Sequence, residues 1–149
     1  MMTYFQYKNI KLEIITEDEK IKEIIFSDKY IETKDDDFTK KIKKDLLDYF
    51  EGKLQEFQIQ LDIEGTEFQK KVWSEMSKIP YGKTMSYGEL AEKVGCPKGA
   101  RAVGLACNKN RIPIIIPCHR VVGKNGKLTG FAGGLDTKEF LLKIEGEKI

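Results

Sequence analysis

A chain of 149 residues holds one ordinary domain or two small ones sharing an interface, which excludes a multi-domain machine. Hydrophobic residues at 40% and charged residues at 34% supply enough apolar surface for a core and exclude disorder along the whole length. The formal charge of +2 conceals an asymmetry: Lys93, Lys98, Arg101, Lys109, Arg111, Arg120, Lys124 and Lys127 lie between Glu92 and Asp136 with no acid among them, whereas the first third is acidic on balance.

An acid-free stretch of that length fits a polyanionic partner better than a solvated face, and nucleic acid comes first. No apolar run approaches the ~18 residues of a membrane helix; Ile112 to Ile116 is cut by Pro113 and followed by Pro117. The first ten residues lack the basic-then-apolar order of a secretion signal, so a cytoplasmic protein is expected. Cys96, Cys107 and Cys118 are odd in number and evenly spaced. The odd number, with no secretion signal expected, argues against a disulfide framework, and the spacing without a paired C-x2-C knuckle argues against structural zinc with His119.

In chain order, residues 2 to 31 read as two or three antiparallel strands, with Ile10, Leu12 and Ile14 alternating with Lys11 and Glu13. Asp35, Asp36 and Asp37 read as a solvated face. Phe38, Ile42, Leu46, Tyr49 and Phe50 recur at helical spacing, closed by Gly52. Phe57, Ile59, Leu61 and Ile63 alternate as one further strand. All of these serve a core, so residues 1 to 64 form a small α+β domain.

From residue 65 to 149 the pattern changes to short helices. Thr66 with Gln69 and Ser86 with Glu89 are capping boxes, the first opening a helix that stops before Pro80 and the second one that ends at Gly95. A third helix is expected from about Lys98 to Asn108, with Pro97 in its first turn. Two helices joined by a tight turn inside the acid-free segment make a helix-turn-helix candidate. Gly99, Ala100, Ala102, Gly104 and Ala106 leave the second of them thin, with Arg101 its one long cation. A reader of base edges would carry several polar side chains, so little sequence preference is expected.

The β-branched run Ile112 to Ile116 reads as a buried strand that Pro117 ends, with Cys118 in a rigid turn beyond it. Cys96 and Cys107 read as inert filler. Cys118 differs because the only histidine, His119, is its neighbour. A buried thiol needs a base to become a nucleophile. Adjacent side chains of an extended segment face opposite ways, so a water would bridge the two, and the imidazole would want a carboxylate on its other nitrogen.

Pro117-Cys118-His119-Arg120-Val121 resembles the active-site motif of the O6-alkylguanine-DNA alkyltransferases, the methylated-DNA--protein-cysteine methyltransferases. The likeness continues through Gly65-Thr66-Glu67-Phe68-Gln69, Ile79-Pro80-Tyr81-Gly82-Lys83-Thr84, Ser86-Tyr87, Ala100-Arg101-Ala102-Val103-Gly104, Asn110 and Gly133-Gly134-Leu135.

The resemblance implies an α+β fold, with a ribonuclease H-like roll followed by a winged-helix-like helix-turn-helix domain. It implies Cys118 as irreversible alkyl acceptor, His119 as its base through a water, Glu145 in the last helix orienting His119, Asn110 as hinge, and Tyr87 as donor to the departing guanine. Arg101 would enter the base stack from the minor groove of double-stranded DNA, with Gly99, Ala100 and Lys124 beside it. Val121 through its carbonyl, Phe131, Ala132 and Gly133 would line the lesion pocket. Some relatives carry tyrosine and serine where this chain has Phe131 and Ala132, which removes two hydroxyl contacts. No metal or cofactor is implied, and a monomer acting on O6-methylguanine, and less efficiently O4-methylthymine, is expected. The alternative is an alkyltransferase-like module that binds lesions without reacting. Such modules lack the acceptor cysteine.

Overall fold

The computed structural model describes residues 1–146, and the chain divides after Ile63 into two units. In the first, β1 (Met2–Tyr7), β2 (Ile10–Glu17) and β3 (Lys20–Ser27) form an antiparallel meander in that order. The alternation along β2 puts Ile10, Leu12, Ile14 and Thr16 on the covered face. Asp18 and Glu19, both with positive φ, make the two-residue turn between the paired Glu17 and Lys20, and its backbone matches the twist of the strands.

Helix α1 (Asp37–Phe50) buries Ile42, Leu46, Tyr49 and Phe50. The Phe50 ring stacks on those of Phe5 and Tyr7, with centroids 5.8 and 5.0 Å away. The aspartate run is more than a solvated face. The Asp36 carboxylate accepts the Thr39 N–H at 2.8 Å as the helix cap, and Asp35 accepts from Lys43 at 2.7 Å.

The expected strand over residues 57–63 does not form. Phe57, Ile59 and Leu61 are half-buried in alternation as anticipated. The segment meets β3 only around Ile21, whose N–H donates to the Gln60 carbonyl and whose carbonyl accepts from Asp62, so no ladder develops.

The second unit is helical. Both capping boxes are present, at Thr66 for α2 (Glu67–Met76) and at Ser86 for α3 (Tyr87–Lys93). Helix α4 runs from Ala100 to Asn108, shorter than expected. Pro97 stays outside it, because the Gly99 N–H bonds the Cys96 carbonyl at 2.7 Å and closes a turn first. A Cβ on Gly99 would come 2.4 Å from the Cys96 sulfur, which explains glycine there. Strands β4 (Met85–Ser86) and β5 (Val121–Val122) pair in parallel, and α5 (Leu135–Ile144) closes the unit.

The run Ile112–Ile116 is buried, as its composition demands, but it is not a strand. Pro113 cannot donate to a ladder. The chain instead reverses on itself, with the Ile116 N–H on the Ile112 carbonyl at 3.0 Å and Ile114 at φ 75°. A β-branched residue in that region costs on the order of 1–3 kcal/mol and persists only where its surroundings impose it.

Trp73 of α2 donates its indole N–H to the Ala106 carbonyl of α4 at 2.8 Å, a buried bond that joins two helices. Trp73→Phe is expected to lower stability by about 2 kcal/mol, read as a reduced urea midpoint with an unchanged slope.

Candidate active site

Asn110, just beyond α4, braces the reversed segment from inside. Its Oδ1 accepts the Ile112 N–H at 3.0 Å and its Nδ2 donates to the Ile116 carbonyl at 2.9 Å. One side chain thus does the work of a missing ladder and sustains the strained Ile114. The next residues, Cys118 to Arg120, form a single 3-10 turn. Side chains along such a turn step round by about 120°, so three neighbours face three directions, which replaces the opposed pair expected of an extended chain.

His119 is fully buried, and its Nε2 lies 2.7 Å from Oε2 of Glu145, itself buried. Glu145 is the residue that follows α5, not a member of it as expected. Arg120 grips the same carboxylate, Nε to Oε1 at 2.8 Å and Nη2 to Oε2 at 3.1 Å, while Nη1 donates to the Ile79 carbonyl at 2.7 Å. The Gly82 N–H donates to Oε1 at 3.3 Å. Burial pushes His119 below its ordinary pKa; the Glu145 carboxylate opposes that, and the charges of Arg120 and Lys138 reinforce it. The imidazole is therefore neutral at rest and available as a base.

Cys118 is half-buried. Desolvation raises its thiol pKa, against a hydrogen bond from Asn110, the Lys138 charge and backbone N–H groups that lower it. The sulfur is thus a protonated thiol at rest that depends on a base. Lys138 lies on the apolar stripe of α5 with Leu141 and Leu142 and is fully buried, donating to the carbonyls of Val121 at 2.6 Å and Thr129 at 2.9 Å.

Cys118, Tyr87, Cys107, Asn110, Phe131 and Ala132 border a cavity of about 20 Å³. That volume takes one water and no purine. The Thr129 hydroxyl lies 3.5 Å from the Tyr87 hydroxyl across this opening. Burial raises the Tyr87 pKa, leaving the phenol a proton donor. Val121 and Gly133, expected at the pocket, do not border it, and the Val121 carbonyl is engaged by Lys138.

On the outer face, Arg101 projects exposed from the first turn of α4, whose Gly99 cap has no side-chain bond to the helix N–H groups. An open depression of about 600 Å³ brings together Tyr87, Ala100 and Lys124 with Ser86, Asn125 and Gly126. The Tyr87 ring lies 3.8 Å from where a Cβ on Gly104 would sit, so the thin face of α4 seats it.

The profile of the 6-O-methylguanine DNA methyltransferase DNA-binding domain matches residues 67–147. The methylated-DNA--protein-cysteine methyltransferase of Methanosarcina acetivorans is 54% identical over 125 residues, 84% of this chain and 79% of that protein. The chain belongs to the methylated-DNA--protein-cysteine methyltransferase family. The crystal structure of the Mycobacterium tuberculosis O6-methylguanine methyltransferase superposes with a TM-score of 0.85 at 40% identity, covering 97% of this chain and 93% of that one. The structure of the M. tuberculosis protein in complex with DNA superposes with a TM-score of 0.84 at 38% identity, covering 97% and 91%. The α+β architecture is that of these methyltransferases.

Within this methyltransferase framework the fold brings Cys118, Asn110, Tyr87, Phe131 and Ala132 around one cavity and puts His119 on Glu145 behind it. Reading the sequence overlooked Lys138, Cys107 as a cavity wall, and the grip of Arg120 on Glu145. Lys138 had a visible signal, a lone cation in the apolar stripe of α5.

Burial pushes the Cys107 thiol from 9.0 up to about 12. The unfolded thiol ionises first as pH rises, so the unfolded state holds fewer protons between those values. Stability therefore falls through that window, by up to about 1.4 kcal/mol per pH unit. Urea unfolding at pH 8 and pH 10 should show the loss, and Cys107→Ala should reduce it. Asn110→Ala strands an N–H and a carbonyl of the reversed segment and is expected to cost about 2 kcal/mol or more, with Cys118 alkylation by iodoacetamide slowed, both read on the same protein.

Proposed function

We propose that this protein repairs O6-methylguanine in double-stranded DNA, and less efficiently O4-methylthymine, by moving the alkyl group irreversibly onto its own Cys118. The observation that carries the reading is a thiol on a small cavity with a buried imidazole–carboxylate pair on the adjacent residue, in a chain of this family.

The methyl carbon of the lesion is saturated and bears a poor leaving group, so direct displacement favours a soft thiolate held in line with the C–O bond. His119 takes the Cys118 proton through a bridging water, the sulfur bonds the methyl carbon, and the C–O electron pair stays on the guanine oxygen. The Tyr87 hydroxyl donates to the base as that charge develops. The product thioether has no ready path back to thiol, so each molecule acts once, with no cofactor.

The lesion lies within the duplex, so the nucleotide must be extruded. Helix α4 enters the minor groove with little sequence preference, its thin Gly99–Ala100 end close to the backbone, and Arg101 fills the vacated stack. Lys124 holds a phosphate nearby. The helix-turn-helix unit has a winged-helix-like role and the first unit a ribonuclease H-like roll; the protein works as a soluble monomer in the cytoplasm.

Intact mass after mixing with an O6-methylguanine duplex, followed by peptide mapping, tests this. One methyl group on Cys118, and none in Cys118→Ala, is the expected result. Binding with unchanged mass indicates a lesion-sensing module, and a hydrolysed product indicates a hydrolase. Arg101→Ala should slow repair of duplex far more than transfer from free O6-methylguanine; equal losses contradict the intercalating role.

A further inference from the structure

Four nitrogens from two separate parts of the second unit lie within hydrogen-bond distance of the Glu145 carboxylate. The His119 Nε2 and Arg120 Nη2 reach Oε2 at 2.7 and 3.1 Å, and the Arg120 Nε and Gly82 N–H reach Oε1 at 2.8 and 3.3 Å. The guanidinium is itself buried, anchored by Nη1 on the Ile79 carbonyl and lying 5.8 Å over the Tyr81 ring. The Tyr81 hydroxyl in turn donates to the Ile144 carbonyl at 3.1 Å. Arg120 therefore joins the 3-10 turn, the 79–82 turn and the end of α5 at one carboxylate.

A buried carboxyl facing only an imidazole has two ways to bond it. Ionised, it accepts from Nε2–H, and Nδ1 keeps the lone pair. Protonated, as desolvation favours, it donates to Nε2, and the ring proton moves to Nδ1, the nitrogen that must serve as base toward Cys118. The two forms make the same short contact and differ wholly in reactivity. A bidentate guanidinium, always charged and donor-only, favours the first form, because it bonds an ionised carboxylate more strongly than a neutral carboxyl.

We propose that Arg120 is a positioning residue of the transfer reaction: by bonding both oxygens of Glu145 it holds that group as an acceptor, which fixes the His119 proton on Nε2 and leaves Nδ1 as the base. The proposal rests on the alkyl-transfer reading for its consequence, though not for its structural content. The charged groups acting on His119 are Glu145 beyond α5, Lys138 within it, and Arg120 on its own turn, with the Cys118 thiol the preceding residue; Tyr81 adjoins Glu145 and Arg120. With Arg120 and Lys138 both cationic, the neutral imidazole is preferred until a thiol proton arrives, in keeping with the lowered His119 pKa.

The protein has one histidine, so a long-range 1H–15N spectrum of the substrate-free protein contains one imidazole. Wild type is expected to show Nε2–H with an unprotonated Nδ1 at neutral pH; an Nδ1–H tautomer there overturns the proposal. In Arg120→Met the Nδ1–H form should become populated as Glu145 takes up a proton. Transfer from free O6-methylguanine at neutral pH should fall by at least about tenfold, with the acid limb of its pH profile moved to higher pH. Arg120→Lys, which keeps the charge but replaces the planar fork by a compact ammonium, should lie between the two and decides the matter if the Met variant does not fold. A wild-type tautomer and pH profile in either folded variant overturns the proposal. Because the spectrum is recorded without substrate, failure of the positioning role is distinguishable from failure of the transfer activity.

Discussion

The carboxylate of Glu145, buried against an imidazole and a guanidinium, is the contact on which the site depends. Taking an acid and an arginine out of water is costly, and the cost is offset only when the lone pairs and donors are satisfied together, as they are here. Removing either partner strands a charge in the interior. The arrangement also fixes the ends of the second unit, because residue 145 meets the turn at 118–120 only if α5 lies along it. The His119–Glu145 pair and the closure of the unit are thus one feature.

Forward of that contact, the chemistry is governed by desolvation. Burial keeps the Cys118 thiol protonated and His119 neutral, so the resting sulfur is guarded from stray electrophiles. A reactive thiolate arises only when the proton has somewhere to go. For a protein whose acceptor is consumed by use, restraint at rest is as valuable as speed. The cavity of about 20 Å³ makes the same point sterically, with Thr129 tied to the Tyr87 hydroxyl and to Lys138 close by.

Much of this was legible from residue order alone. Capping boxes at Thr66 and Ser86 are local signals, satisfied within four residues, and both are present. The β2 alternation and the α1 stripe are likewise local. The errors fall where pairing partners lie far away in sequence. Ile112–Ile116 has a strand's composition, yet Pro113 and the Asn110 side chain turn it into a reversal; the 57–63 segment has a strand's alternation but a single residue to pair with. Within the site, Cys118 and His119 stand out as neighbours and Glu145 came from family likeness. That Arg120 shares the carboxylate and Lys138 lies behind the sulfur depends on how α5 packs, which no spacing rule reveals.

The central claim is that the Cys118 sulfur keeps what it takes. Its most direct test is a count: with lesion-bearing duplex in large excess and incubation prolonged, the number of methyl groups lost from DNA per protein molecule is followed to its end. The account predicts a plateau at one methyl group for each molecule. A count that continues to climb past that value would mean the sulfur is regenerated and would contradict it.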